Sequence, residues 1–309
     1  MASSSKVHEF AGAGAELVLH ESGDPGGRDL VLLHGAQDLP LSFDPVLECI
    51  ARWRVWRPEL RGHGASDHPG SYTLAHFVAD LHILIRRFTQ APVVLVGHSL
   101  GGHVSARYAS LFPEDVAALA LLDGLGPPRG ETHTTIEGWR IEARQRIEEL
   151  TAPVLKRANK AGSWRRPAMP DLKAAAAKLV ANNPGLDDDR AILLAEEATE
   201  PVGDGLRWRF DERIHSIWTS FSQVENELHW AAINCPVLLI TGDRALEYWT
   251  RRRPQLADAA RYEADLARRE GLFKNASSHV IAGAGHMLHY DQPDVLANHL
   301  ADFLATVRF

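Results

Sequence analysis

The strand-to-helix transition around Ser99 constrains this 309-residue chain more than any other feature. Residues 93–104 read VVLVGHSLGGHV, so an apolar, β-branched run passes directly into small residues that open a helix. Gly97 and Gly101 flank the serine in a Gly-x-Ser-x-Gly pattern, and glycines here permit the sharp turn that presents a serine hydroxyl as a nucleophile. A glycine-rich turn that binds phosphate is the alternative, but residues 100–104 lack the lysine that such a site uses.

The composition excludes several other kinds of protein. With 45% hydrophobic and 24% charged residues, the chain is typical of a folded globular protein. Its formal net charge of −7 gives no overall attraction to nucleic acid or to an anionic membrane surface, so we expect neither as a partner. The chain has no apolar run long enough to span a bilayer, and its first residues, MASSSKVHEF, lack the pattern of a signal peptide. We therefore expect a cytoplasmic protein, whose oligomeric state the sequence leaves open.

Short apolar runs alternate with helical patterns along most of the chain. This alternation predicts an α/β fold in which a mostly parallel sheet is covered by helices on both faces. The predicted strands cover residues 16–20, 30–33, 55–58, 93–96, 118–122, 237–241 and 279–282.

The longest interval between two predicted strands is about 110 residues, which far exceeds an ordinary crossover connection. We interpret it as an inserted lid and divide the chain into a core of residues 1–123 and 236–309 and a helical lid of residues 124–235. Helical spacing predicts lid helices at residues 136–158, 171–182 and 188–198, separated by breaks at 167–170 and 201–205. The lid holds five of the eight tryptophans, which either form the core of the lid, the interpretation favoured for each residue taken singly, or line an apolar substrate pocket: Trp139, Trp164, Trp208, Trp218 and Trp230.

Four motifs, taken in order, resemble the α/β-hydrolase superfamily over nearly the whole chain. They are Leu33-His34-Gly35, residues 60–67 (LRGHGASD), the turn at Ser99, and Gly285-His286-Met287 followed by His289 and Asp291-Gln292-Pro293. The resemblance implies an α/β-hydrolase fold, with a mostly parallel sheet, helices on both faces and an inserted helical lid. Residues 122–127 and 208–211 are further similar to serine-hydrolase-like proteins and microbial carboxylesterases.

The resemblance also implies roles for individual residues. A serine hydroxyl is a poor nucleophile at neutral pH and needs a base within hydrogen-bonding distance. His286 matches the family's catalytic histidine, just beyond the last predicted strand, whereas His98 and His289 are interpreted as packing residues. The oxyanion hole, which binds the negative charge that develops on the carbonyl oxygen, is expected to consist of the backbone N–H groups of Ala36 and Leu100.

The sequence leaves the acidic member of the triad open. Many members of the family place it three residues after a strand-ending glycine, but three residues after Gly242 the chain has Ala245. Asp123 follows the preceding predicted strand, where some branches of the fold place the acid, and it is the preferred candidate. Asp243 is the alternative acid, and Glu247 ranks behind both.

These residues predict a cofactor-independent serine hydrolase that cleaves a carboxylic ester or a lactone through an acyl-enzyme on Ser99. A small-molecule ester or lactone is therefore the expected partner. Dehalogenases and epoxide hydrolases of this fold carry an aspartate at the nucleophile position, which this chain does not. Two alternatives stay open: non-ester chemistry on the same fold, such as carbon–carbon hydrolysis, lyase chemistry or cofactor-free oxygenation, and a non-catalytic ligand receptor with a hydrolase pocket.

The sequence predicts no metal or cofactor site. The chain has no His-Glu-x-x-His motif and no paired Cys-x-x-Cys, and His286 with His289 supplies too few ligands. Cys49 and Cys235 are expected to be buried free thiols. A solvated basic face is predicted for Arg251, Arg252, Arg253, Arg261, Arg268 and Arg269.

Overall fold

The computed structural model describes residues 6–127, 135–157, 167–251, 254 and 257–309. Strands within these residues are β1 (Lys6–Ala11), β2 (Glu16–Gly23), β3 (Asp29–Leu33), β4 (Arg54–Pro58), β5 (Val93–His98), β6 (Val116–Leu122), β7 (Thr199–Val202), β8 (Gly205–Trp208), β9 (Val237–Gly242) and β10 (Ala276–Ile281). The α-helices are α1 (Asp44–Leu47), α2 (Leu74–Phe88), α3 (Leu100–Leu111), α4 (Ile136–Arg157), α5 (Leu172–Asn182), α6 (Asp188–Ala198), α7 (Gln223–Ala232), α8 (Ala245–Thr250), α9 (Ala259–Glu270), α10 (Leu288–Asp291) and α11 (Pro293–Thr306). Short 3-10 helices cover Pro40–Phe43, Glu48–Ile50, Pro113–Asp115 and Glu212–Ser220.

The described strands form one large sheet of eight strands and a separate hairpin, β7–β8. The strand order of the large sheet is β1-β2-β4-β3-β5-β6-β9-β10. From β4 to β10 neighbouring strands pair in parallel, whereas β2 pairs antiparallel with both β1 and β4. Every strand predicted from the sequence overlaps one strand of this sheet, so the predicted fold class is confirmed.

Three observed strands were not predicted, because none of them has an apolar run. In β1 only Phe10 is buried, as befits a short strand at the edge of the sheet. β7 and β8 form a hairpin whose turn lies between Val202 and Gly205. The sequence predicted a break between helices at residues 201–205, and these residues are not helical, but the hairpin itself was not predicted. Gly203 has φ 56° in the turn, a conformation that two-residue hairpin turns require.

Helices cover both faces of the sheet, as predicted. On one face, α2 and α3 bury side chains such as Phe77 and Tyr108 in a large apolar cluster. On the other face, α1 and α11 bury Val46, Leu296 and Leu300 in a second cluster. Strand β5 lies between these two cores and is buried along its whole length, as expected for a parallel strand with helices on both sides.

The parallel strands bring the chemically interesting residues to one edge of the sheet. Neighbouring strands β5, β6, β9 and β10 run in the same direction, so their carboxyl ends lie side by side. Ser99 follows β5, Asp123 follows β6 and Asp243 follows β9, while the loop after β10 carries His286. In open α/β sheets this is the edge at which ligands bind.

The inserted segment contains helices where the sequence predicted them, namely α4, α5 and α6. Its last helix, α7, packs against α3, and Trp230 is buried in the same apolar cluster as α2 and α3. Trp139 in α4 is 65% exposed, and Trp208 stacks on Phe210. The division between core and lid at residues 123–124 and 235–236 stays a prediction. Residues of the predicted lid and basic face that lie outside the described part of the chain are Trp164, Arg252 and Arg253.

Arg269 does not belong to a solvated basic face, so this part of the prediction is wrong. Its side chain is 1% exposed. The guanidinium donates to the carbonyl oxygens of Leu125, Gly126 and Pro127 at 3.1, 3.2 and 2.6 Å. Arg269 thus fixes the start of the inserted segment, immediately after β6.

Cys49 and Cys235 are free thiols, as expected, but they are half-buried rather than buried. Burial raises the pKa of each thiol to about 11, so both are poor nucleophiles. None of the helices in the described part of the chain combines the length and the apolar character needed to cross a bilayer.

Candidate active site

The turn between β5 and α3 holds Ser99 in a strained backbone conformation. Its φ of 49° and ψ of −112° lie in a region that residues with a side chain rarely adopt. The flanking glycines make the turn possible. A Cβ on Gly97 would lie 2.4 Å from the carbonyl oxygen of Gly101, and a Cβ on Gly101 would lie 2.3 Å from that of Leu33. The Gly-x-Ser-x-Gly pattern is therefore a consequence of two close backbone approaches.

Ser99, His286 and Asp123 form one chain of hydrogen bonds. Nε2 of His286 lies 3.0 Å from Oγ of Ser99, and Nδ1 of the same ring bonds to Oδ2 of Asp123. All three residues are buried, with 9%, 5% and 7% of the surface of Ser99, His286 and Asp123 exposed. A carboxylate only accepts, so it keeps the proton of the neutral ring on Nδ1 and leaves Nε2 free to accept the serine proton. The arrangement can therefore activate the serine hydroxyl.

Strand β9 supports the carboxylate of Asp123. Oγ1 of Thr241 donates to Oδ1 of Asp123 at 2.8 Å, so each carboxylate oxygen has a partner. The backbone N–H of Asp123 donates to the carbonyl oxygen of Ile240 at 2.7 Å, and its φ of 42° turns the chain out of the sheet. The preferred acid is thus fixed through both its backbone and its side chain.

The other two candidate acids lie away from the histidine. Asp243 is exposed, and the exposed Glu247 forms an ion pair with Arg244 at 3.0 Å. Ala245 occupies the position, three residues after Gly242, at which the resemblance implied an acid. It is fully buried at the start of α8. Because both ring nitrogens of the histidine are engaged by other residues, neither alternative acid is bonded to it.

The loop after β3 approaches Ser99 and carries Ala36. A Cβ on Gly35 would lie 3.3 Å from Cβ of Ser99, so the glycine allows this close approach. Gln37 has φ 64°, and its backbone N–H donates to Nε2 of His63 at 2.9 Å. The backbone N–H of Ala36, the first predicted oxyanion donor, thus lies between two residues with fixed backbones.

Two buried histidines hold this loop. Nδ1 of His34 donates to the carbonyl oxygen of Gly35 at 2.7 Å, and its Nε2 accepts the backbone N–H of Leu60 at 3.1 Å. His63 has the same tautomer, because its Nε2 accepts from Gln37. Burial lowers the pKa of both rings, to about 3 for His63, so both are neutral and each can donate and accept at once. His34 and His63, which belong to the first two of the four sequence motifs, therefore support the loop after β3.

The second predicted oxyanion donor is the backbone N–H of Leu100, the first residue of α3. The first N–H groups of a helix have no partner inside the helix and favour negative charge. The next N–H, of Gly101, donates to the carbonyl oxygen of His34 at 3.2 Å and ties the helix to the loop after β3. Ala36 and Leu100 therefore belong to two connected segments on either side of Ser99.

A second buried histidine–carboxylate pair lies beside the first. Nε2 of His289 is 3.1 Å from Oδ2 of Asp38, which also accepts from the hydroxyl of Ser42 at 2.9 Å, and the hydroxyl of Tyr290 donates to Oδ1 at 2.9 Å. The His289 ring stacks on Phe43, with centroids 4.1 Å apart and planes 9° apart. Burial raises the pKa of Asp38, but the hydrogen bond and charge of His289 outweigh it and hold the pKa of this carboxyl well below its usual range.

His98 connects the two pairs. Its Nε2–H donates to the carbonyl oxygen of His286 at 2.9 Å, and its ring centroid lies 4.8 Å from that of His289. Burial holds the pKa of His98 well below its usual value, so the ring is neutral. Potential ligand atoms of Asp38, His98 and His289 lie within 4.8 Å of one another, a donor set that transition metals accept. We assign no metal to it, because three internal donors already engage the Asp38 carboxylate.

Two aromatic side chains that the sequence analysis did not single out pack on His286. Tyr248 stacks on the imidazole with ring centroids 4.0 Å apart and planes 18° apart, and Trp249 packs edge-on at 5.3 Å. No motif marks these residues. The available signal was their position, because they follow the strand end at which many relatives carry the acid.

The inserted segment contacts the site at two places. In the 3-10 helix Glu212–Ser220, Nε2 of His215 lies 3.0 Å from the side-chain amide nitrogen of Gln37. Trp218 and Phe221 pack edge-on against His103 of α3, at 5.8 and 4.9 Å between ring centroids. The segment therefore touches both the loop after β3 and the helix that follows the serine.

Known proteins are similar to this chain in sequence and in fold. The chain is 29% identical to the serine hydrolase-like protein of Mus musculus over 287 residues, which cover 89% of this chain and 88% of the mouse protein. It is 25% identical to the serine hydrolase-like protein of Danio rerio over 288 residues, covering 91% and 83% of the two chains. The solved thioesterase domain from the curacin biosynthetic pathway matches with a TM-score of 0.75 at 24% identity, over 98% of this chain and 100% of that domain. The model of the alpha/beta hydrolase family matches residues 30–299, so the chain belongs to this family of hydrolases.

Proposed function

We propose that this protein is a cofactor-independent serine hydrolase that cleaves a carboxylic ester or a lactone. Ser99 is the nucleophile, His286 the general base and Asp123 the acid that orients the base. The observation that carries the proposal is the unbroken hydrogen-bond chain from Oγ of Ser99 through His286 to Asp123. Similarity to serine hydrolase-like proteins over most of the chain supports it.

In the first step, Oγ of Ser99 attacks the substrate carbonyl carbon while its proton moves to Nε2 of His286. The imidazolium that forms is stabilised by the carboxylate of Asp123, which itself stays ionised. The carbonyl π electrons move to the oxygen, and a tetrahedral intermediate with one negative charge results. The strained backbone of Ser99 supports this step because it holds the hydroxyl next to the base.

The negative oxygen is bound by the backbone N–H groups of Ala36 and Leu100. Removal of one such donor typically costs about 3 kcal/mol of transition-state stabilisation. The buried supports of the loop, His34 and His63, keep the donor of Ala36 in place before the substrate arrives. This preorganisation is the contribution that we assign to the two motifs near the N-terminus.

In the second step, the carbon–oxygen bond to the alcohol breaks, and the proton on Nε2 of His286 passes to the departing alkoxide. An acyl-enzyme on Ser99 remains. A water molecule then gives its proton to His286 and attacks the ester carbonyl, and the carboxylic acid leaves as Ser99 regains its proton. A lactone follows the same steps, except that the released hydroxyl stays attached to the acyl chain.

We further propose that residues 124–235 form a lid over this site and that the substrate carries an apolar group. The lid contacts at Gln37 and His103 support the first part. Tyr248 and Trp249, which pack beside His286, support the second, because the departing alcohol must receive its proton from this ring.

Covalent labelling and substrate hydrolysis together test the proposal. Wild type and Ser99→Ala are treated with a fluorophosphonate and examined by intact mass, and both are assayed with p-nitrophenyl acetate, p-nitrophenyl octanoate and δ-valerolactone. We expect one label on wild type, none on Ser99→Ala, and turnover of at least one ester or of the lactone by wild type alone.

Two results would contradict the proposal. Full activity in Ser99→Ala would remove Ser99 as the nucleophile. A labelled wild type that hydrolyses neither ester nor lactone, across acyl chains of two to eight carbons, would keep the serine but replace the substrate class.

A further inference from the structure

The segment after β9 does not supply the acid, yet it contacts His286 directly. Helix α8 starts at Ala245 and brings Tyr248 onto the face of the imidazole, with centroids 4.0 Å apart and planes 18° apart. The Trp249 ring meets the same imidazole at 67°. His286 is therefore contacted at both nitrogens by Asp123 and Ser99 and on one face by an aromatic ring.

Backbone hydrogen bonds fasten the start of α8 to the loop that carries His286. The N–H of Asp243 donates to the carbonyl oxygen of Ile281 at 3.1 Å, and the N–H of Arg244 donates to that of Ala284 at 2.9 Å. The two segments approach so closely that a Cβ on Gly242 would lie 2.1 Å from the carbonyl oxygen of Ala284. The backbone of the segment that leads into Tyr248 is thus tied to the loop that carries His286.

A face-on aromatic ring treats the two charge states of imidazole differently. The face of the ring carries negative electrostatic potential, so it attracts a cation placed over it. Neutral imidazole gains only dispersion and apolar contact from the same stack. An interaction that strengthens when the histidine takes up a proton lowers the barrier of the step in which the proton is taken up.

We propose that Tyr248 is a further catalytic residue of this site, which stabilises the imidazolium that His286 becomes when it accepts the proton of Ser99. The role rests on the proposed function. The ring of Tyr248 acts through its π face and its phenol takes no part in the proton transfer. The proton moves from Oγ of Ser99 to Nε2 of His286 and then to the departing alkoxide, and no other group gains or loses a proton.

A series of substitutions separates the effect of the aromatic π face on the rate from the effects of side-chain size and of the hydroxyl. Tyr248→Phe keeps the π face, Tyr248→Leu keeps an apolar side chain without it, and phenylalanines with one, two or three ring fluorines at position 248 weaken the π face stepwise at nearly constant size. Thr250→Ala, on the same helix, is the matched control. The readouts are the rate of fluorophosphonate labelling of Ser99, kcat and KM for the best ester, and the thermal unfolding midpoint.

We expect Tyr248→Phe to react within twofold of wild type and Tyr248→Leu to label about three- to tenfold more slowly, which is the range of an aromatic–cation contact. Across the fluorinated series, the logarithm of the labelling rate should fall steadily with the number of fluorines. The unfolding midpoint should stay close to the wild-type value in every variant, and KM should not change in step with the number of fluorines.

Three results would overturn the proposal, and they separate it from the proposed function. Equal rates across the fluorinated series would mean that the ring acts by shape alone. A Tyr248→Phe variant as slow as Tyr248→Leu would mean that the hydroxyl matters. If wild type is labelled at Ser99 in these cases, the serine hydrolase proposal stands; if wild type is not labelled, both proposals fall.

Discussion

Two histidine–carboxylate pairs lie side by side in this protein, and only one of them has a nucleophile beside it. His286 pairs with Asp123 and His289 pairs with Asp38, and all four side chains are buried. The second nitrogen of His286 faces Ser99 at 3.0 Å. Nδ1 of His289 has no hydrogen-bond partner among the described residues. A buried carboxylate therefore orients an imidazole in both pairs, and the group at the other nitrogen decides what the imidazole can do.

The stacking partners of the two rings differ as well. His289 lies flat on Phe43 in the apolar cluster that contains α11, where it is enclosed. His286 lies flat on Tyr248, which is 42% exposed and stands at the open side of the sheet edge. We infer that the Asp38–His289 pair supports the loop that presents His286, whereas the Asp123–His286 pair performs the chemistry.

Among the substitutions that test this comparison, a change at Asp123 should have the largest effect on activity. Asp123→Asn keeps the shape of the side chain but lets an amide donate to Nδ1, which favours the wrong tautomer of His286. We expect kcat to fall about a thousandfold or more, with little change in the unfolding midpoint. The measurement is ester hydrolysis together with the rate of serine labelling. Asp243→Asn is the matched control and should stay within twofold of wild type; the reverse ranking would assign the acid to the end of β9.

In the second pair, substitution of the carboxylate should reduce stability more than activity. Asp38→Asn removes a buried carboxylate that accepts hydrogen bonds from His289, Ser42 and Tyr290, so the free energy of unfolding should fall by about 1 to 3 kcal/mol in denaturant titration. The activity of each folded molecule should fall less than tenfold. Tyr290→Phe, which removes one donor and keeps the pair, should cost about 1 kcal/mol. A stable Asp38→Asn protein as inactive as Asp123→Asn would mean that both pairs take part in the chemistry.

Wild type and Asp38→Asn should also differ in how their free energies of unfolding depend on pH. The pKa of Asp38 is lower in the folded protein than in the unfolded chain, so its contribution is fully present above the unfolded value of about 3.9 and is lost as the pH falls below it. The difference in free energy of unfolding between wild type and Asp38→Asn should therefore be constant from about pH 7 to 5 and shrink between about pH 4 and 2. A difference that grows on acidification would contradict a lowered pKa of Asp38 in the folded protein.

The smallest effect concerns the support of the catalytic carboxylate. Thr241→Val removes the hydroxyl that donates to Oδ1 of Asp123 and keeps the side-chain shape. We expect kcat/KM to fall about tenfold, because a hydrogen bond to a charged group contributes about 1.5 kcal/mol. Thr306→Val, at the exposed end of α11, is the control. Unchanged activity in Thr241→Val would mean that the contact with His286 alone holds Asp123 in place.

The sequence predicted the parts of the site that depend on local backbone geometry. The turn at Ser99 needs small residues at fixed spacing, and the loop of His286 has its own motif, so both could be found without a structure. The acid could not be fixed, because a carboxylate after β6 and one after β9 both satisfy the chain order serine, acid, histidine. The hydrogen bond between Asp123 and Nδ1 of His286 and the exposure of Asp243 distinguish them in the structure.

The remaining features depend on contacts between residues that are far apart in sequence. Asp38 and His289 are 251 positions apart, and Gln37 and His215 are 178 positions apart. Neither contact produces a periodic pattern in the sequence from which it could be predicted. Strand β1 was missed for a related reason: it is held by backbone bonds to β2, with only Phe10 buried, so its side chains carry little information about its structure.

Arg269 donates hydrogen bonds to three successive carbonyl oxygens and thereby restrains the backbone next to Asp123. Asp123 is followed almost at once by the inserted segment, so any movement of that segment would pull on the carboxylate. Arg269, itself paired with Asp265 at 2.6 Å, holds Leu125, Gly126 and Pro127 to helix α9 and thereby anchors the chain before the insertion begins. A displacement of the chain beyond Pro127 is accordingly resisted at three carbonyl oxygens before it reaches Asp123.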